Sequence, residues 1–348
     1  MTRVKRNCAS PLGEIARARH KDMKWRRGRA RDTIAAAEAG VVRRVKASIG
    51  GMRFGLAVCL FILVGALASA RAQDPFAGQA PQRVTIRDYV GDAMEPFLSR
   101  DGRYLFFNTS NDDPAHTDLL YAERIDPVTF RSLGPVLGAN SPTLDAVPSM
   151  DRQNRLYFVS TRAYDQTLNT LFVAPFVNGQ VYDPRALNGM AAPTRGRLHF
   201  DAEISADGRS LYFAEGLFWA GAVPWEADLF IARRYAEGRF ARDARSNAIF
   251  ARINTSALEY APALSVDERE LFFTRLGRMP LSQPSIWRAA RPDPRVAFSA
   301  PTRLDLPGFV EAPTLAADGS IYYHRRLDGR FIIYRLRRAP APPPAGAR

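Results

Sequence analysis

The feature that most constrains this chain is a pattern that returns five times. The segments EPFLSRDGRYLFF from Glu95, VPSMDRQNRLYF from Val147, DAEISADGRSLYF from Asp201, APALSVDERELFF from Ala261 and APTLAADGSIYY from Ala312 share one frame. Their apolar anchors Leu105, Leu156, Leu211, Leu271 and Ile321 stand 51, 55, 60 and 50 residues apart. Each segment is followed by a second apolar run: DLLYAERI, TLFVAPFV, DLFIARRY, SIWRAARP and FIIYRLRR. Self-similarity at such a period is the mark of an architecture in which one supersecondary unit is repeated and stacked.

Each piece has a mechanical reading. Asp101-Gly102, Asp207-Gly208 and Asp318-Gly319 supply the left-handed backbone of a two-residue hairpin. Pro96, Pro148, Pro262 and Pro313 open the first strand, where proline is tolerated at a start or an edge. The Leu-Tyr-Phe runs barely alternate, as expected of strands covered on both faces. The fold class these signals predict is all-β: a five-bladed β-propeller of four-stranded antiparallel blades, with six blades as the alternative. The strand Val84–Val90, lying just before the first repeat, is expected to close the last blade and so remove an exposed sheet edge.

The block P-x-[LI]-S-x-D-G-x-x-L-Y-F followed by D-L-[YF]-x-A resembles the WD-repeat-like propeller repeat of TolB-type proteins, over residues 83–338. The resemblance implies a β-propeller, a periplasmic location and a protein-binding role. TolB itself has six repeats and a separate N-terminal domain, neither of which is visible here, so its partnership is not carried over.

Charge separates the domain from what precedes it. The chain carries 49 Lys/Arg against 35 Asp/Glu, but residues 1–51 alone hold 14 basic and 4 acidic residues. With Arg53 and Arg71 set aside, 73–348 holds 33 basic and 31 acidic residues, which argues against a nucleic-acid partner. Met52-Arg53 followed by FGLAVCLFILVGALASA and Ala70-Arg71-Ala72 reads as a cleavable export signal over 52–72. The expected organisation is a basic extension at 1–51 (with translation starting at Met52 as the favoured reading), the signal, a linker at 73–82, the propeller at 83–338 and a Pro-rich tail at 339–348. A periplasmic or secreted location follows, with no membrane span after cleavage. Both cysteines, Cys8 and Cys59, precede the mature chain, leaving no disulfide or thiolate metal site there.

The links leading into the inner strands carry Glu95, Asp145, Asp201, Glu203, Glu259 and Glu311, a partial ring of carboxylates at the channel mouth. Arg162, Arg275 and Arg325 leave the second strand on the same face and stand ready to offset their repulsion. This rim reads either as a cation-, sugar- or peptide-binding mouth or as repeat-encoded ion pairs between blades. The longest insertion, EGLFWAGAVPWEAD from Glu215 to Asp228, places Phe218, Trp219 and Trp225 on that face, either as an exposed anchor or folded back on the blade. His199, Asp201 and Glu203 alternate and are expected to share a face, while His116 and His324 read as turn or surface residues.

No cofactor motif and no G-x-S-x-G nucleophile elbow occurs, so an appended α/β hydrolase is excluded. The sequence favours a binding module whose partner is another envelope protein or a glycan. A glycosidase-like hydrolase using the mouth carboxylates is the alternative, since five-bladed glycosidases keep two or three channel acids.

Overall fold

A computed structural model describes residues 74–219, 223–279 and 282–340. The predicted leader at 1–72 and the tail from 341 lie outside the described residues. Almost every described element is a strand, and the strands fall into five antiparallel units. From inside to outside, the first unit is Met94–Leu98, Tyr104–Asn108, Leu119–Asp126 and Thr129–Pro135. The second is Asp145–Met150, Arg155–Ser160 and Leu171–Val177, edged by Gln180–Val181 and Arg185–Ala186. The third is Arg197–Ile204, Ser210–Leu217, Glu226–Arg234 and Phe240–Arg242. The fourth is Leu258–Leu264, Glu270–Leu276, Ser285–Ala290 and Thr302–Arg303, and the fifth is Val310–Leu315, Ile321–Leu327 and Arg330–Leu336. A single parallel bridge, Ala227 to Leu258, joins the third and fourth ladders.

The absence of alternation in the Leu-Tyr-Phe runs has a direct cause. Five apolar clusters lie in the seams between successive units, one of them between the fifth and the first. A middle strand therefore buries both faces: Phe106 enters one cluster and its neighbours Leu105 and Phe107 another. Each such ring removed from water contributes roughly 1.5–3 kcal/mol. The inner strands pack on one another in circular order, and Val310–Leu315 packs against Met94–Leu98.

Two local expectations need correction. The turns after the inner strands are longer than two residues. In the first, Ser99 N–H donates to Tyr104 O, Gly102 N–H donates to Ser99 O, and only Gly102 is left-handed, at φ +73°. Asp101 instead caps the turn, accepting from Ser99 Oγ at 2.5 Å and from the Arg103 amide at 3.0 Å. The closing segment also divides its pairing. Gln82–Arg83 forms the fourth strand of the fifth unit, while Thr85–Arg87 runs parallel to Thr129–Pro135 at the edge of the first. The chain crosses the seam at Val84, whose side chain is buried between Phe130 and Ile333. Burying that side chain in the gap between units, rather than continuing along one edge, accounts for the change of partner.

Candidate active site at the channel mouth

All five inner strands break at the same place. Their pairing with the second strand shifts between Met94 and Phe97, Ala146 and Ser149, Phe200 and Glu203, Tyr260 and Ala263, and Glu311 and Thr314. At each break one residue is left-handed: Glu95 at φ 51°, Val147 at 53°, Asp201 at 47°, Ala261 at 48° and Ala312 at 51°. These are β-bulges, which re-aim side chains, and a proline follows four of the five because a bulge removes the need for its missing N–H. Left-handed backbone costs a non-glycine residue about 1–3 kcal/mol, and such strain concentrates at functional sites. The five bulges line a narrow channel with about 30 Å³ of free space, enough for a water or a hydroxyl.

The bulge sorts the predicted acids into classes. Asp145 and Glu259 lie two residues before it and turn away from the channel, each a fully buried carboxylate paired with a partly exposed arginine. Asp145 meets Arg162 at 2.5 Å and accepts from Ser141 N and Oγ at 2.5 and 2.7 Å. Glu259 meets Arg275 at 2.7 Å and accepts from Thr255 N and Oγ1 at 3.0 and 2.6 Å. Each pair joins two strands of one unit, so neither is the contact between blades that the sequence suggested. Arg325, the counterpart of Arg275, has Val310 across from it instead of an acid and makes no ion pair among the described residues.

Glu95, Asp201 and Glu203 line the channel, and Glu311 stands beside Glu95 and Asp201. Burial and the nearby Glu95 and Glu311 push the Asp201 carboxyl well above the carboxylate range. Burial also raises Glu95, against the pull of His324 and the amide of Asn111. Glu95 accepts from Asn111 Nδ2 at 3.0 Å through Oε1, while its Oε2 is buried without a hydrogen-bond partner among the described residues. Glu311 accepts on both oxygens, from the Tyr260 hydroxyl and from His324 Nε2 at 3.1 Å. Glu203 lies deeper. Arg100 reaches it at 3.4 Å and also donates to Met150 O at 2.8 Å and Ile204 O at 2.5 Å, tying the first three units together below the acids.

The expectation that His199, Asp201 and Glu203 share a face fails because the bulge falls between them. His199 turns aside to Glu215 at 3.0 Å and Met190 O at 3.0 Å. His324 is the larger surprise, being only 1% exposed rather than a surface residue, whereas His116 is exposed beside Asp113. Sequence reasoning passed over Tyr260, Asn111, Arg100 and His324. A signal existed for the last: three residues after the anchor the repeats read Asn108, Val159, Ala214, Thr274 and His324, polar in three cases within apolar runs.

On the same end of the third unit, Trp219 is 84% and Trp225 68% exposed. Phe218 folds back edge-on to Phe200, with ring centroids 5.4 Å apart, and Trp225 N–H donates to Leu217 O at 2.7 Å. One aromatic thus fastens the base of the hairpin, while the two indoles face solvent. Among the described residues no group of His, Asp and Glu is arranged to hold a metal ion, and no helix is long and apolar enough to cross a membrane.

No family model and no curated protein matches the chain. Solved structures do. A "Glycoside hydrolase" aligns at TM-score 0.53 with 11% identity, covering 76% of this chain and 94% of its own. A BT0996 RGII complex aligns at TM-score 0.52 with 10% identity over 76% and 93%. An endo-arabinase from Bacteroides thetaiotaomicron VPI-5482 aligns at 0.49 with 13% identity over 75% and 98%. At such identities the likeness establishes the fold alone: this is an all-β protein of the β-propeller class.

Proposed function

We propose that the five units close into a five-bladed propeller and that its channel mouth hydrolyses a glycosidic bond. One observation carries the reading: three acids from the first, third and fifth units meet at one mouth in unlike environments. Asp201, whose carboxyl is raised well above its ordinary value by burial and by Glu95 and Glu311, is suited to give a proton to a leaving-group oxygen. Glu311 accepts two donors, as a carboxylate does, and is suited to act as base or nucleophile. The unpaired Glu95 Oε2 offers an acceptor to a substrate hydroxyl. The free space among these acids fits a water or hydroxyl rather than a sugar ring, so the ring would lie above the mouth, beside Trp219 and Trp225. Aromatic faces of that kind suit the apolar face of a sugar. The glycoside hydrolases of like fold agree with this chemistry, and a glycan is the partner it implies.

A panel of 4-nitrophenyl glycosides and plant-type polysaccharides tests the reading, with D201N and E311Q as the decisive variants. Each is expected to lose about a thousandfold or more in kcat while keeping the fold. Wild-type turnover that survives both substitutions would remove the acids from the mechanism. The exposed indoles favour a second reading, a glycan- or protein-binding module of the exported envelope type. Wild-type binding without turnover of any glycoside would select it.

A further inference from the structure

In three of the five units a side chain of the preceding unit accepts the amide N–H of the left-handed bulge residue. Asn108 Oδ1 accepts from Val147 N–H at 3.1 Å, Thr274 Oγ1 from Ala312 N–H at 3.0 Å, and His324 Nδ1 from Glu95 N–H at 3.0 Å. All three acceptors occupy the repeat position three residues after the anchor. An amide side chain or a hydroxyl therefore suffices for this inter-unit bond. A histidine adds a second, opposed nitrogen, and here that nitrogen meets Glu311.

We propose that His324 is a positioning residue for the acid site: its Nδ1 seals the seam to the first unit while its Nε2–H holds the Glu311 carboxylate in line with Tyr260. Because Nδ1 accepts a backbone N–H, it carries no proton, so the ring proton sits on Nε2 and is directed at Glu311 Oε2. Two aromatic rings flank the imidazole. Phe309 stacks on it with centroids 6.4 Å apart and Phe331 meets it edge-on at 5.5 Å. The acids beside it are Glu95 from the first unit and Glu311 from its own, which Asn111 and Tyr260 reach in turn. Asn108, in the equivalent place, spends its free amide on Thr109 O and Asn111 Oδ1, each at 3.0 Å, and also lies close enough to Glu95 to pull its carboxyl down.

This inference rests on the hydrolase reading for its consequence but not for its geometry, and two arms separate them. The molecule supplies the control variant: H324N places at this position the side chain that already serves the Val147 amide, so the seam survives while the ring Nε2–H that reaches Glu311 is removed and only a shorter amide remains. In the full-length protein, H324N should keep its thermal midpoint close to wild type. It should lose about a hundredfold in kcat on the best 4-nitrophenyl glycoside, with KM little changed, since displacing a reacting group by about an ångström has that effect. A kcat within about twofold of wild type, on a substrate that E311Q no longer turns over, would overturn the positioning role. The second arm needs no turnover. Nitrogen-15 spectra of the wild type should show a single exchange-protected Nε2–H and an unprotonated Nδ1, and a crystal structure of H324N should show Glu311 swung away from Tyr260. A proton found on Nδ1, or Glu311 unmoved in the variant, would refute the proposal even if no glycoside is ever cleaved.

Discussion

The second and fourth units treat an acid in one way, the first, third and fifth in another. Asp145 and Glu259 sit two residues before the bulge and disappear into arginine pairs between strands. Glu95 and Asp201 occupy the bulge itself, where the left-handed backbone throws the side chain into the channel, and Glu311 stands one residue before it. A shift of one or two residues along the same repeat thus decides whether a carboxylate is tied up between strands or faces the channel. The lesson is that charge in a repeat column says little until its register against the bulge is known.

The largest effect that would break this contrast belongs to the buried pairs. E259A leaves the Arg275 guanidinium without its partner in a largely buried place, and should cost about 3–5 kcal/mol in urea unfolding. The surviving folded fraction should bind and turn over ligand as before. A loss of activity per folded molecule would move Glu259 from the structural class to the functional one.

The next effect concerns Glu203, which shares the channel but pairs with Arg100. Burial pushes its carboxyl up from 4.5 to about 7, with Arg100 pulling it back down. A carboxyl raised by folding favours the folded state below its ordinary value, and that contribution is lost as the pH rises through about 7. Between about pH 4.5 and 8 the wild type should therefore lose roughly 3 kcal/mol more stability than E203Q. Parallel slopes for the two proteins would show that Arg100 neutralises the site completely.

The smallest effect sharpens the comparison at the rim. W219A and W225A should each weaken glycan binding by about tenfold, measured by calorimetry, without altering the unfolding midpoint, because both rings are solvent-facing. A fall in the midpoint would mean that the indoles support the hairpin.

Much of the fold was legible, because the repeat fixes strand order, and the Leu-Tyr-Phe runs announce strands buried on both sides. The site was legible only in part. The acids were visible as residue types in the links, but strict alternation along Arg197–Ile204 puts His199, Asp201 and Glu203 on one face, and the bulge after Phe200 undoes that. A bulge leaves little trace in composition beyond the prolines that follow it. The partners Tyr260, Asn111 and His324 come from three different units, and their convergence depends on the packing of units side by side rather than on any local spacing.

The split pairing around Val84 has a mechanical consequence. Gln82–Arg83 is held to Arg330–Leu336 by only two residue pairs, and Thr85–Arg87 to its neighbour by three. Tension entering from the amino side would peel these short ladders bond by bond instead of shearing a long one. In a pulling experiment the joint between fifth and first units should therefore yield at low force, before any of the other four.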